Sequence, residues 1–178
     1  KGFVRYFKPS EVKAFFDAAV KINNGVMVPY FALLFYSTCR PEDIADPKVA
    51  KERLLWKNFQ DWEHTDEETG GYEFLVPKWE EIGGERLQRS KTKDRTALLL
   101  PAGAAWIKWH LGKFPVDGEV FWSQRYRKKI LDEAGIKWIQ DGARHTLLSA
   151  ARHYKKFATQ QDDWAWRAGH SRETFREY

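Results

Sequence analysis

Apolar residues recur with a helical period early in the chain. Val12, Phe15, Phe16, Ala19 and Val20 stand at i, i+3, i+4, i+7 and i+8, one stripe along a helix that follows Pro9-Ser10. Ser10 is the expected N-cap, with Glu11 as an acid in the first turn. Asn23-Asn24-Gly25 ends that helix. Residues 26–38 then carry apolar side chains on nearly every face, the pattern of a buried helix, with Pro29 early in it.

The period changes in the middle of the chain. Residues 53–62 alternate as a strand does, and residues 71–76 read as a second strand. Residues 86–90 and 95–100 read as two more extended pieces, joined as a hairpin by a turn around Lys93-Asp94. Helices return at Pro101, with one running to about Gly112. A loop at Pro115-Val116-Asp117-Gly118 follows, then a basic helix over 123–134 that Gly135 ends. Further helices are predicted over 142–157, 160–168 and 171–178. The expected fold class is α+β and mainly helical, with a small antiparallel β-sheet inserted after the second or third helix. No internal repeat or low-complexity linker interrupts this plan.

Composition narrows the class. A chain of 178 residues suits one domain with its own core, and 43% hydrophobic with 31% charged residues is a globular balance. Nine Trp are expected mostly in the core, because large aromatics carry much of the burial energy. The net charge is +5. Its distribution says more than its size. Residues 61–81 hold eight acids against Lys78, whereas Arg86, Arg89, Lys91, Lys93 and Arg95 face only Asp94 over 86–95. Further basic runs are Arg125, Arg127, Lys128, Lys129 and Arg152, Lys155, Lys156. Such runs suit a polyanionic partner, and equally an ordinary solvated face. One Cys excludes an internal disulfide and fits a reducing compartment. No apolar run approaches the roughly 18 residues of a membrane span, and no signal peptide is visible. The abrupt ends at Lys1 and Tyr178 suggest a piece of a longer protein.

Four separated segments carry candidate chemistry. In Ser37-Thr38-Cys39-Arg40-Pro41-Glu42-Asp43-Ile44, Arg40 follows a buried apolar helix at a turn. Its planar guanidinium suits a two-oxygen grip on phosphate, and the plainer alternative is a surface pair with Glu42 or Asp43. In Arg89-Ser90-Lys91-Thr92-Lys93-Asp94-Arg95, a Lys on a hairpin can reach beside DNA and give a proton to a leaving oxygen, or be one charge of an ordinary turn. In Asp141-Gly142-Ala143-Arg144-His145-Thr146, Arg144 stands in the first turn of a helix, where cation and helix N-terminus together favour phosphate. In the stretch from Ala168 to Tyr178, a His at a helix start precedes a Tyr two turns later.

Taken in order, these segments resemble the tyrosine recombinase/integrase family, over almost the whole chain. The first segment is similar to the family's Thr-Gly-x-Arg-x-x-Glu-Ile/Leu box, and Leu55-Trp56-Lys57-Asn58-Phe59 to the strand start that follows it. Lys91-Thr92 through Pro101 loosely matches the hairpin lysine motif. The third segment matches His-x-x-Arg-His-Thr except that Asp141 replaces the first His. Ala168-Gly169-His170-Ser171 resembles Leu-Gly-His-Ser. Tyr178 lies eight residues after His170, one fewer than is usual in the family, so the nucleophile is either Tyr178 or the residue after it.

The resemblance implies the family's catalytic fold, in which a small antiparallel sheet is inserted among helices. It also implies DNA cleavage and rejoining through a 3′-phosphotyrosyl intermediate, with no metal or other cofactor. Arg40 and Arg144 would clamp the phosphate, Lys91 would act as general acid, His170 would assist, Asp141 would hold the remaining position and Tyr178 would attack. Arg89, Lys93, Arg95, Arg125 and Lys128 would contact the DNA backbone. It further implies double-stranded recombination sites as partner, a homotetramer on DNA for the full-length protein, a monomeric fragment, and a cytoplasmic, nucleoid-associated location on a phage or other mobile element. His145 is set aside as a core residue. His64, His110, His153 and Cys39 show no metal-ligand spacing. Three rivals stand beside this reading: a catalytically impaired relative that regulates by binding DNA, a type IB topoisomerase-like enzyme, and a helical interaction module with ordinary surface charges.

Overall fold

The computed structural model describes residues 5–44, 70–76, 79–82, 85–88, 95–111 and 120–153. The predicted strand over 53–62, the loop over 115–118 and the helices over 160–168 and 171–178 lie outside them. Helix α1 spans Pro9–Lys21, α2 Val28–Tyr36 and the short α3 Pro41–Ile44. Strands β1 (Tyr72–Val76), β2 (Trp79–Ile82), β3 (Glu85–Gln88) and β4 (Arg95–Leu99) follow. Helices α4 (Pro101–Leu111), α5 (Gln124–Ala134) and α6 (Gly142–His153) come after them. The order is mainly helical with small antiparallel ladders in the middle, as the pattern predicts.

The start of α1 differs from expectation. Lys8, not Ser10, occupies the N-cap, and Pro9 takes the first turn. Proline is suited there, because its fixed φ is helical and its missing N–H would have had no intrahelical partner. The Glu11 carboxylate accepts the Lys8 backbone N–H at 2.6 Å and so satisfies the helix entry from within. At the other end, Asn23, Asn24 and Gly25 all take positive φ. Asparagine and glycine tolerate that region, so the chain reverses there rather than extending the helix.

The strand pairing corrects the predicted hairpin. β4 pairs with β1, from Tyr72↔Leu99 to Val76↔Arg95, and β3 pairs with β2, from Trp79↔Gln88 to Ile82↔Glu85. The pieces over 86–90 and 95–100 are therefore not partners, and the segment between them joins two ladders. Trp79-Glu80-Glu81-Ile82 went unseen as a strand because its two central acids hide the alternation. The available signal was the Gly83-Gly84 pair separating β2 from β3, the composition of a tight two-residue connection.

Helix α2 is buried along its length from Val28 to Phe35 and packs on α1, α4 and α6. The α1 stripe meets it through rings. Phe15 stands edge-on to Phe31 at 4.5 Å between centroids and 5.4 Å from Phe35, while Phe16 stacks on Trp106 of α4 at 5.0 Å. Pairs of this kind add about 0.5–1.5 kcal/mol each beyond their burial. Close approach of α4 depends on Gly103. A Cβ there would lie 2.5 Å from Leu99 Cδ1 and 2.7 Å from Tyr36 Cβ. Helix α5 begins at Ser123, whose hydroxyl accepts the Tyr126 N–H, and ends at Gly135 in the left-handed conformation, as the sequence indicated.

Candidate functional site

The chain leaves α2 through a set of short-range bonds. Ser37 is extended. Its hydroxyl donates to Leu33 O at 2.6 Å and accepts the Cys39 N–H at 3.1 Å. The segment then runs beside β4. Leu100 N donates to Tyr36 O at 2.8 Å, Ser37 bridges Leu99, and Thr38 N donates to Leu98 O at 3.0 Å. Leu98 N in turn donates to Thr38 Oγ1 at 3.0 Å. The stretch that leads to Arg40 is thus held as a further, irregular edge to the β1–β4 ladder.

Arg40 stands at the entry to α3. Its backbone N–H donates to Asp43 Oδ2 at 2.7 Å, and Asp43, only 2% exposed, returns a backbone bond to Arg40 O. The Asp43 carboxylate therefore caps the helix start. The Arg40 side chain is half-buried.

Arg144 comes from the opposite end of the described chain. Asp141 precedes α6 with φ 55°, and its carbonyl accepts the His145 N–H at 2.9 Å, so it forms the N-cap with its side chain exposed. The turn into α6 is compressed at Gly142, where a Cβ would lie 2.6 Å from Ile139 Cβ and 2.8 Å from Phe7 Cε2. Thr146 Oγ1 accepts the Phe7 N–H at 2.9 Å and donates to Gly142 O at 2.7 Å, which ties the N-terminal segment to this turn. With α6 packed on α2, Arg144 points inward at 5% exposure and its Nη1 donates to Thr38 O at 3.0 Å. A buried cation is costly unless hydrogen-bonded, and this bond offsets part of that cost.

Two segments more than a hundred residues apart therefore meet, with Arg144 held two residues before Arg40. Chain geometry keeps Arg40 Cα within about 7 Å of Thr38 Cα. Arg125 and Lys128 are exposed on α5, which packs on α1, whereas Arg40 and Arg144 lie at the α2–β4–α6 junction. Arg95 begins β4 opposite Val76. Lys91, Arg89, Lys93, His170 and Tyr178 lie outside the described residues. Sequence reasoning missed Thr38. Its available signal was a pair of hydroxyl residues, Ser37-Thr38, closing an apolar helix immediately before an arginine.

Burial lowers the pKa of His145; Asp141 raises it in part and Arg144 lowers it further. Burial also lowers the pKa of His110, partly offset by a hydrogen bond to the backbone of Gly25. Both groups hold protons less well folded than at the ordinary value of 6.5. These two histidines therefore bind more protons in the unfolded chain below about pH 6.5. Their contribution to stability is steady above about pH 7 and declines as pH falls through the unfolded value toward the folded ones. Melting temperatures measured between about pH 5 and 8, above the carboxylate range, should show that decline; a rise toward pH 5 would contradict it.

Among the described residues, no group of three or more His, Cys, Asp or Glu could hold a metal ion. Among them too, no helix is long and apolar enough to cross a membrane. No protein-family model, curated protein or solved structure matches the chain.

Proposed function

We propose that this chain is the catalytic domain of a tyrosine-type site-specific DNA recombinase. The Arg144–Thr38 bond carries the reading. It joins the two segments whose arginines resemble the family's first two boxes, and it gives the second arginine a fixed, water-poor setting in which charge on a phosphate is strongly felt.

In this reading the Tyr178 oxygen attacks the scissile phosphorus. A 3′-phosphotyrosyl bond forms, the bond to the 5′-oxygen breaks, and Lys91 gives that oxygen its proton. Arg40 and Arg144 stabilise the non-bridging oxygens, and His170 bonds the phosphate or assists deprotonation of Tyr178. Rejoining reverses the step, so the bond energy is conserved and no cofactor is needed. Arg89, Lys93, Arg95, Arg125 and Lys128 supply salt-dependent backbone contacts. The partner is double-stranded DNA at recombination sites, bound by a tetramer of the full-length protein in the nucleoid of the cytoplasm.

One observation favours a second reading, a DNA-binding relative without strand cleavage. Asp141 is exposed at the N-cap beside Arg144, where an anion opposes a phosphate. A covalent-adduct assay decides between them. The full-length protein is incubated with nicked duplexes tiled across the DNA flanking its own gene, and the modified peptide is mapped. An adduct at Tyr178 is the expected result, and one on the next residue moves the nucleophile but keeps the reaction. Salt-sensitive binding with no adduct on any bound duplex overturns the enzymatic reading in favour of the second.

A further inference from the structure

Thr38 makes three hydrogen bonds, two with Leu98 and one with Arg144. In an antiparallel ladder, every second pair of facing residues exchanges both backbone N–H···O bonds, and Thr38 and Leu98, next to the Ser37–Leu99 bridge, occupy such a position. Thr38 and Leu98 exchange only one through the backbone, from Thr38 N to Leu98 O. The returning Leu98 N–H goes to the Thr38 hydroxyl at 3.0 Å. The Thr38 carbonyl is thereby turned to Arg144 Nη1, also at 3.0 Å. Thr38 is fully buried, so water does not compete for these groups. The resemblance noted above puts a Gly of the first box at this position, and a Gly has no hydroxyl with which to make the exchange.

We infer that Thr38 is a positioning residue for the proposed strand-cleavage site: its hydroxyl takes the Leu98 N–H so that its carbonyl can orient the Arg144 guanidinium. This inference rests on the recombinase reading for its effect on activity, but its structural core does not. Without the hydroxyl, the Leu98 N–H loses the partner that takes it at 3.0 Å, and the acceptor a regular antiparallel pair would offer it is the Thr38 carbonyl that Arg144 uses. The same residue couples β4, the strand that follows Lys91 in the chain, to both arginine segments.

The test compares Thr38→Val, which keeps the shape and removes the hydroxyl, with Thr38→Ser, which keeps the hydroxyl. In the full-length protein, Thr38→Val is expected to slow single-turnover adduct formation by about 10- to 100-fold. Its Kd for the same duplex should stay within about twofold, while Thr38→Ser should remain within about threefold of the parent rate. Thr38→Val at the parent rate, or both variants slowed alike with loss of DNA binding, overturns the proposal. A second measurement needs neither activity nor a folded variant. Arginine-labelled protein should show Arg144 side-chain N–H signals that exchange and rotate slowly in the parent. A guanidinium that rotates freely there overturns the proposal. If the parent forms no adduct while its Arg144 signals are slow, the recombinase reading has failed and the Thr38 tie stands.

Discussion

Arg144→Ala is expected to eliminate the covalent adduct that the proposed reaction forms and to lower the stability of the fold by about 1–3 kcal/mol, the cost of removing a buried hydrogen-bond donor. Both effects come from one geometry. The side chain is 5% exposed, and its Nη1 supplies a charged donor to Thr38 O at 3.0 Å. Truncation takes a charged donor away from that buried carbonyl and removes a cation from a site two residues away from Arg40. The family resemblance implies a catalytic loss, and burial adds the stability loss. Arg144→Lys keeps the charge, but its compact ammonium lacks the planar fork, so it should restore part of the stability and little of the activity. Denaturant unfolding and adduct yield on denaturing gels separate the two effects. Adduct formation undiminished in a folded, destabilised Arg144→Ala protein would make this arginine a structural tie and remove the main support for the proposed function.

Phe15→Ala is expected to cost about 3–5 kcal/mol, enough to unfold a marginal domain near physiological temperature. The ring is 1% exposed and lies between Phe31, Phe35, Phe16 and Trp138, at centroid distances from 4.5 to 6.2 Å. Those partners come from α1 itself, from α2 and from the segment before α6. The cavity therefore opens where three parts of the fold converge, and none can move in without leaving another. Tyr6, at 55% exposure, is the natural comparison, and its replacement by Ala should stay within about 0.5 kcal/mol. A loss below about 1 kcal/mol for Phe15→Ala would show that the core is not organised around this ring.

Helices α1, α2, α4 and α5 were legible because each rests on a local rule: an apolar stripe, an all-apolar run, a Pro start or a Gly stop. The same holds for the candidate arginines, whose residue types and neighbours are visible in order along the chain. Strand partnership was not legible. The pieces at 86–88 and 95–99 are close in sequence, yet β4 joins β1 and β3 joins β2. Pairing is decided by which edges the packed helices bring together, and no periodicity records that.

The amino-acid sequence by itself determined the mainly helical plan and the buried character of α2, because side-chain period and backbone preference act over a few residues. Only the tertiary structure decided that Arg144 turns inward, that its partner is a backbone carbonyl in the segment before Arg40, and that a threonine hydroxyl makes that carbonyl available. A carbonyl is present in every residue, so its selection as a partner leaves no mark in the sequence. It is set by the packing of α6 on α2, which brings Arg144 to a residue 106 positions earlier, and by the edge of β4, 60 residues from Thr38.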